Sequence, residues 1–255
     1  MSAPLRVELV GRVLWLTLDR PARRNALDAS LVEALLAALS APPPGARAVV
    51  LRGSGGHLCA GGDVAEMAGA DEARLALLNR RFGALLEAIA GCAVPVVTVC
   101  EGVCFGGGVG LASAADLAVA SATARFRLPE LRLGVVPAQI LPFLARRVGV
   151  SGARRLALTS PELDANEALR VGLVDARVEP DALDAHVRDL VEALTAAEPG
   201  ALQATRAFVR ELFPHVDPSV LDGASVLFAR YAAGPAARAG FAALRAGEAP
   251  PWTRE

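Results

Sequence analysis

Three consecutive glycines, Gly106-Gly107-Gly108, lie where the chain changes from a strand pattern to a helix pattern. An apolar, β-branched run at residues 94–100 precedes them, and a helical pattern of small residues follows. Positions without side chains let a ligand approach the main chain, and the start of a helix offers unpaired N–H groups and a partial positive charge. This stretch by itself fits either an anion-binding site or a close packing contact between helix and sheet.

A second glycine-rich stretch, residues 53–64, follows the apolar run at residues 48–51 in the same way. Two strand-to-glycine junctions in one chain predict two backbone N–H donors that converge on one oxygen atom. This second junction favours the anion-binding interpretation of the first.

The remaining pattern predicts an α/β (α+β) protein. Its N-terminal half shows strands at residues 7–10, 13–18, 47–51, 94–100, 116–120 and 124–127, and helices at 29–40 and 71–90. We expect Asp71 to cap the second of these helices. From Pro137 the pattern is almost wholly helical, with segments at 141–148, 152–159, 166–171, 181–197, 201–213 and 218–233.

Composition limits the environment and the partners. The chain has 255 residues, 53% of them apolar, which is enough for a full core. A formal net charge of −1 gives no field that would attract nucleic acid or an anionic membrane surface. Because no apolar run reaches the length of a membrane span and the N-terminus lacks a signal-peptide profile, we expect a cytoplasmic protein.

Cysteine and lysine usage excludes several chemistries. The four cysteines lie in or beside apolar segments without metal-ligand spacing, so we expect buried, reduced thiols and no metal site. The chain contains no lysine. It therefore cannot have a phosphate-binding P-loop or carry out Schiff-base chemistry.

Four motifs in order carry a resemblance to a known family. They are the two glycine stretches, the segment Leu-Thr-Leu-Asp-Arg-Pro-Ala-Arg-Arg-Asn-Ala-Leu-Asp at residues 16–28, and Leu-Pro-Glu-Leu-Arg-Leu-Gly-Val-Val-Pro at residues 128–137. Together they resemble the crotonase (enoyl-CoA hydratase/isomerase) superfamily over nearly the whole chain. The resemblance implies a superhelical core of repeated strand-strand-helix units at residues 1–195, and a C-terminal helical region at 196–255 that forms trimer contacts.

The resemblance also implies the ligand and its binding groups. The substrate would be an acyl-CoA or acyl-carrier-protein thioester that carries its own CoA or phosphopantetheine, so no separate cofactor is expected, and the protein would be a homotrimer or hexamer. The backbone N–H groups of Gly62 and Gly107 would stabilise the enolate oxygen, with Asp63 as a structural carboxylate. Arginine suits the phosphate contacts implied for Arg23 and Arg24. The other implied substrate-binding residues are Ala60, Gly61, Val64, Gly106, Gly110 and Pro137.

The carboxylates depart from the hydratase pattern. Resembling hydratases use two glutamates, whereas this chain has Glu130 at one position and Gly110 at the other. One carboxylate can still remove an α-proton and return it to a departing β-hydroxyl group, or move a proton between two carbons. An absent side chain at Gly110 predicts room for a branched or carboxylated acyl group beside Glu130.

Three function classes therefore stay open. The first is an acyl-thioester lyase (enoyl hydratase or 3-hydroxyacyl dehydratase), the second an enoyl-thioester isomerase, and the third a non-catalytic relative that binds thioesters or RNA. The segment at residues 134–149 looks like that of branched glutaconyl-CoA hydratases or of dehydratases acting on polyketide hydroxymethylglutaryl groups. A C-terminal segment nearly stripped of positive charge weakens the case for CoA and is compatible with a carrier-protein substrate.

Overall fold

The computed structural model describes residues 3–212 and 217–253. These residues form nine strands and ten α-helices, which we number in chain order. The strands are β1 (Leu5–Val10), β2 (Val13–Leu18), β3 (Ala48–Gly53), β4 (Val96–Cys100), β5 (Val103–Phe105), β6 (Leu117–Ser121), β7 (Arg125–Arg127), β8 (Leu163–Asp164) and β9 (Ala176–Val178). The helices are α1 (Ala29–Ser40), α2 (Val64–Ala68), α3 (Glu72–Gly91), α4 (Gly107–Ala114), α5 (Ile140–Thr159), α6 (Ala165–Arg170), α7 (Leu183–Ala196), α8 (Pro199–Leu212), α9 (Pro218–Ala232) and α10 (Pro235–Ala246).

The strands form two sheets. The larger has the order β1-β2-β3-β4-β6-β9, in which β1 and β2 form an antiparallel hairpin and the other neighbours are parallel. The smaller has the order β5-β7-β8. Parallel strands need helical crossovers that cover the sheet faces, which explains the continuous apolar runs in β3 and β4.

Both faces of strand β3 in the larger sheet are buried. On one face Val49 and Leu51 pack with residues of α1, α3 and α5 in the main core. On the other, Val50 belongs to a second cluster that includes Leu183 and Val187 of α7. The alternation of side chains along β3 thus divides its residues between two apolar layers.

The α/β class and the helical C-terminal region are as the sequence predicts. Asp71 caps α3 through a hydrogen bond from the Arg74 N–H (2.8 Å). The helices expected at 141–148 and 152–159 are joined in α5, where Gly149 (φ +75°) produces a kink. Phe213, the expected end of α8, lies outside the described residues.

The sequence predictions miss several short elements. The region after Pro137 is almost wholly helical as predicted, but β8 and β9, which complete the two sheets, have only two and three residues, too few to show periodicity. The prediction also omits α2 and α10. Pro235 suggests a break, yet it stands in the first turn of α10, where proline is tolerated.

Helices α9 and α10 of the C-terminal region border the candidate site described below. Helix α9 packs along α3, while α10 packs against the 3₁₀ turn Glu130–Leu133. A Cβ atom on Gly240 of α10 would lie 2.5 Å from the Leu133 carbonyl oxygen, so this contact requires glycine. In the described part of the chain, every helix is too short or too polar to cross a bilayer.

Candidate active site

The two glycine-rich loops lie directly against each other. Cys59 in the first loop donates its N–H to the Val103 carbonyl (3.0 Å) and accepts a hydrogen bond from the Phe105 N–H (2.9 Å). A Cβ atom on Gly61 (φ +103°) would lie 3.8 Å from the Gly107 nitrogen. The two junctions therefore meet, as the sequence predicts.

Two backbone N–H groups at this junction are available to a ligand. Gly107 is the first residue of α4, where an N–H has no acceptor within its own helix. The N–H of Asp63, the residue after Gly62, donates a hydrogen bond to the Leu27 carbonyl (2.9 Å). Neither the Gly62 nor the Gly107 N–H has an acceptor within residues 3–212 and 217–253.

Asn25 holds the first loop in place. This buried residue has φ +57° and donates from Nδ2 to the carbonyls of Ser54 (2.9 Å) and His57 (2.7 Å). Its Oδ1 accepts the Arg20 N–H (2.9 Å). Asn tolerates the left-handed conformation and satisfies buried carbonyls, which explains the Arg-Asn-Ala-Leu sequence without a catalytic role.

Asp63 has the structural role that the sequence predicts. Its carboxylate pairs with Arg20 Nη2 (2.9 Å) and accepts the Ala65 N–H (3.0 Å) at the start of α2. Burial raises the pKa of Asp63, but the Arg20 and Ala65 hydrogen bonds outweigh it and the pKa is lowered. The carboxylate stays ionised and fixes the loop that contains Gly62.

The Glu130 carboxyl group packs against the second glycine loop at Gly106. A Cβ atom on Gly106 (φ +48°) would lie 2.7 Å from Glu130 Oε1. Glu130 Oε2 is buried and has no hydrogen-bond partner in the described part of the chain. Burial raises the pKa of Glu130 to about 7, opposed only by its own backbone N–H. A carboxyl group with this pKa can both take and give a proton near neutral pH.

These groups open into one cavity of about 710 Å³. This volume lies within the range of small-molecule sites. The predicted site residues that line it are Ala60, Gly61, Gly62, Val64, Gly106, Gly107, Glu130 and Pro137. Apolar side chains from several helices and loops that the sequence gives no reason to single out complete the wall, namely Leu27, Met67, Phe82, Phe105, Val136, Ile140 and Phe228.

Arg23 and Arg24 lie apart from this wall. Both are exposed, and neither lines the cavity. Arg24 touches the site through its main chain, since its carbonyl accepts the Ala60 N–H (2.9 Å). The phosphate contact implied for these arginines stays a prediction.

The room expected at Gly110 is absent. A Cβ atom there would lie 3.0 Å from Phe82 Cζ, 3.3 Å from Ile140 Cγ1 and 3.5 Å from Leu86 Cδ1, and Gly110 does not line the cavity. The prediction that the missing side chain leaves open space beside Glu130 is therefore wrong. Apolar side chains of α3 and α5 occupy that space.

The four cysteines are buried free thiols, as the sequence predicts. Burial raises the pKa of Cys59 to about 12. A buried thiol that stays protonated at neutral pH is a poor nucleophile.

The fold and the site define a class of protein. Two backbone donors beside one carboxyl group in an apolar cavity can stabilise an oxyanion and move a proton next to it. A family model described as enoyl-CoA hydratase/isomerase matches residues 9–254. The chain belongs to this family of enzymes, which is the crotonase superfamily that the motifs resemble.

Individual relatives agree with this assignment. A Rhizobium meliloti (strain 1021) protein named "Probable enoyl-CoA hydratase" is 40% identical over 218 residues, which cover 82% of each chain. The solved structure of Pseudomonas aeruginosa AtuE is 41% identical, covers 98% of this chain and 100% of that one, and has a TM-score of 0.79. An enoyl-CoA hydratase structure from Mycobacterium avium is 31% identical over 99% of this chain and 100% of that one, with a TM-score of 0.83.

Proposed function

We propose that this enzyme is an acyl-thioester lyase, an enoyl hydratase or 3-hydroxyacyl dehydratase, with Glu130 as its acid–base group. The observation that carries the proposal is the position of the Glu130 carboxyl group against Gly106, next to the unpaired N–H of Gly107. The family assignment supports hydratase-type chemistry.

The first step in this proposal is formation of an enolate. The thioester carbonyl oxygen accepts hydrogen bonds from the N–H groups of Gly62 and Gly107. Removal of the α-proton leaves the electron pair of the C–H bond as an enolate, whose negative oxygen these donors stabilise. Fixed donors in an apolar cavity need no reorganisation at that moment, which lowers the barrier.

The second step is proton delivery. In dehydration the Glu130 carboxylate takes the α-proton and returns it to the β-hydroxyl group, which leaves as water while the enolate collapses to the α,β double bond. Hydration runs the same steps in reverse. A pKa of about 7 makes both the carboxylate and the acid accessible at neutral pH.

One carboxyl group is sufficient for this route. Gly110 lies where resembling hydratases have a second glutamate, and its surroundings are apolar. Five further carboxylates belong to the cavity wall. Four of them form salt bridges with arginine, namely Asp28, Glu33, Asp63 and Glu66, and the fifth, Glu248, is exposed. This arrangement supports Glu130 as the proton carrier.

The proposed substrate is an acyl-CoA or acyl-carrier-protein thioester, so CoA or phosphopantetheine arrives with the substrate and no separate cofactor takes part. The names of the relatives support CoA. A branched acyl group stays part of the proposal because a cavity of about 710 Å³ has space beyond a linear four-carbon chain, although Gly110 does not provide it.

Isomerisation of a double bond is the second candidate. A single carboxyl group beside an enolate can move a proton from one carbon to another, and Glu130 is placed for that.

The test compares 2-enoyl and 3-enoyl thioesters side by side, each on CoA and on a carrier protein. We expect water addition to the 2-enoyl thioester, measured by mass spectrometry, in the wild type and not in Glu130→Gln. Faster conversion of the 3-enoyl thioester without hydration would favour the isomerase. Inactivity toward every thioester would contradict both proposals and favour a binding protein.

A further inference from the structure

The wall of the cavity formed by α3 contains an amide side chain that the proposed mechanism does not use. Asn79 lines the cavity and is half-buried, and its side chain makes no hydrogen bond within the described residues. Its Oδ1 is shielded from solvent and has no partner. Because Oδ1 is shielded, the amino group Nδ2, which has no partner among the described residues either, is the end of the amide that a ligand can reach.

Other polar side chains of this wall are already engaged. Arg81 pairs with Glu33 through Nε (2.6 Å), and Arg74 pairs with Glu66 (3.4 Å). Gln139 donates from Nε2 to the carbonyl of Leu221 (2.8 Å). Asn79 differs from them because its amino group keeps both donors for a ligand.

The position of Asn79 relates it to the reacting centre. Asn79 and Phe82 are three residues apart and share one face of α3. Phe82 Cζ lies 3.6 Å from the position of a Cβ atom on Gly107, one of the two proposed oxyanion donors. An acyl chain that extends from this donor past the Phe82 ring reaches Asn79 about one helical turn further on.

We propose that Asn79 donates a hydrogen bond to an oxygen atom on the acyl chain, remote from the thioester carbonyl. The preferred substrates then bear an oxygen acceptor, a hydroxyl or a carboxylate, in place of a purely hydrocarbon tail. This inference rests on the proposed function for the orientation of the thioester. Shielding of Oδ1 leaves Nδ2 as the end that meets the ligand, which selects an acceptor.

The experiment measures binding of saturated CoA thioesters, which cannot react. Sets of about four to six carbons are compared by calorimetry, each with an unsubstituted, an ω-hydroxyl and an ω-carboxylate member. We expect the wild type to bind an oxygen-bearing member about 10-fold or more tightly than its unsubstituted counterpart, the range for one hydrogen bond. Asn79→Leu, which is nearly isosteric, should remove this preference and leave the unsubstituted thioester bound as before.

A second variant identifies the acceptor. Asn79→Asp should reject the carboxylate by charge repulsion and still bind the hydroxyl group, to which it can act as an acceptor. The matched control is Asn166→Leu, the same substitution at an exposed position of α6 that does not line the cavity. It should leave all affinities unchanged.

Two outcomes overturn the inference. Equal affinities within every set in the wild type, or an unchanged ratio in Asn79→Leu, would show that Asn79 does not recognise an acyl oxygen while the proposed function stands. Absence of binding by every thioester would remove the proposed function together with the inference.

Discussion

The Glu130 carboxyl group packs so closely against Gly106 that a side chain at position 106 would collide with it. A Cβ atom on Gly106 would lie 2.7 Å from Glu130 Oε1, and the φ of +48° disfavours any L side chain. We expect Gly106→Ala to displace the carboxyl group and lower kcat about 10²-fold, as misplacement of a catalytic group does. Steady-state kinetics checks this.

The control for this substitution is Gly69→Ala. Gly69 has a φ of −99°, and a Cβ atom there meets nothing within 4 Å, so this variant should keep its rate. A wild-type rate in Gly106→Ala would show that the Glu130 carboxyl group is not confined against the second glycine loop.

The raised pKa of Glu130 predicts a pH dependence of catalysis. Removal of the α-proton requires the carboxylate, so kcat/KM for dehydration should fall as the pH decreases through about 7. A pH–rate profile with an acid limb near 4.5, the ordinary value for glutamate, would contradict the burial of this group.

The same pKa makes a prediction about stability. Because folding raises the pKa from 4.5 to about 7, the folded state binds more protons between these values. The contribution of Glu130 to the free energy of unfolding is full below pH 4.5 and is lost as the pH rises through 7. Glu130→Gln should therefore gain stability relative to the wild type above pH 7, measured by urea denaturation at pH 5 and pH 8.

The sequence motifs predict which residues lie at the site better than they predict what surrounds those residues. Motif position predicts the roles of Glu130, Gly62 and Gly107, and the structure brings these three residues to one cavity. The surroundings of Gly110 depend on Phe82 and Ile140, which come from helices α3 and α5. Their apolar pattern looks the same for a core residue and for a cavity wall, so the sequence could not show that they close this space.

The buried amide side chain of Gln139 lies between helices α3 and α9. Gln139 donates to the Leu221 carbonyl of α9, and its amide oxygen occupies the place where a Cβ atom on Gly83 of α3 would stand. Gly83→Ala should destabilise the fold by about 1–3 kcal/mol through overpacking, measured by urea denaturation. Gly91→Ala, in the last turn of the same helix with open space around it, is the control and should not destabilise.

A double-variant cycle separates the contact from a general loss of packing. Gly83→Ala combined with Gln139→Ala should cost less than the sum of the two single changes, because the second removes the group with which the first collides. Strict additivity would show that the two residues do not share this contact.

The elements that the sequence misses are short or begin with proline. Strands β8 and β9 have two and three residues and gain their hydrogen bonds from neighbours distant in sequence. Helix α10 begins with Pro235, which a linear pattern treats as an end. Longer elements such as α1 and α3 have a clear period and a capping Asp, so their bounds were predictable.

For the whole molecule, the C-terminal helices leave apolar side chains exposed. We propose that residues 196–255 form the contacts of a homotrimer or hexamer, because apolar surface of this kind is typical of interaction sites. Within 196–212 and 217–253, the exposed large apolar side chains are Phe208, Val209, Leu212, Val220, Val226, Leu227, Tyr231, Leu244 and Trp252.

Light scattering at micromolar concentration tests this proposal. We expect a mass of about three or six times the 26.3 kDa of the chain. Val226→Glu, which places a charge on an exposed position of α9, should reduce that mass. A stable monomer in the wild type would contradict the proposal.

Glu130 is the one proposed proton carrier of the site, and a single substitution tests this role directly. Turnover of the true thioester substrate by Glu130→Gln should fall by about 10² to 10⁴, the range for loss of a general acid–base group, while a saturated thioester binds as in the wild type. Glutamine keeps the shape of the side chain and removes its proton transfer. A near wild-type turnover number in this variant would contradict the central claim that Glu130 carries the proton.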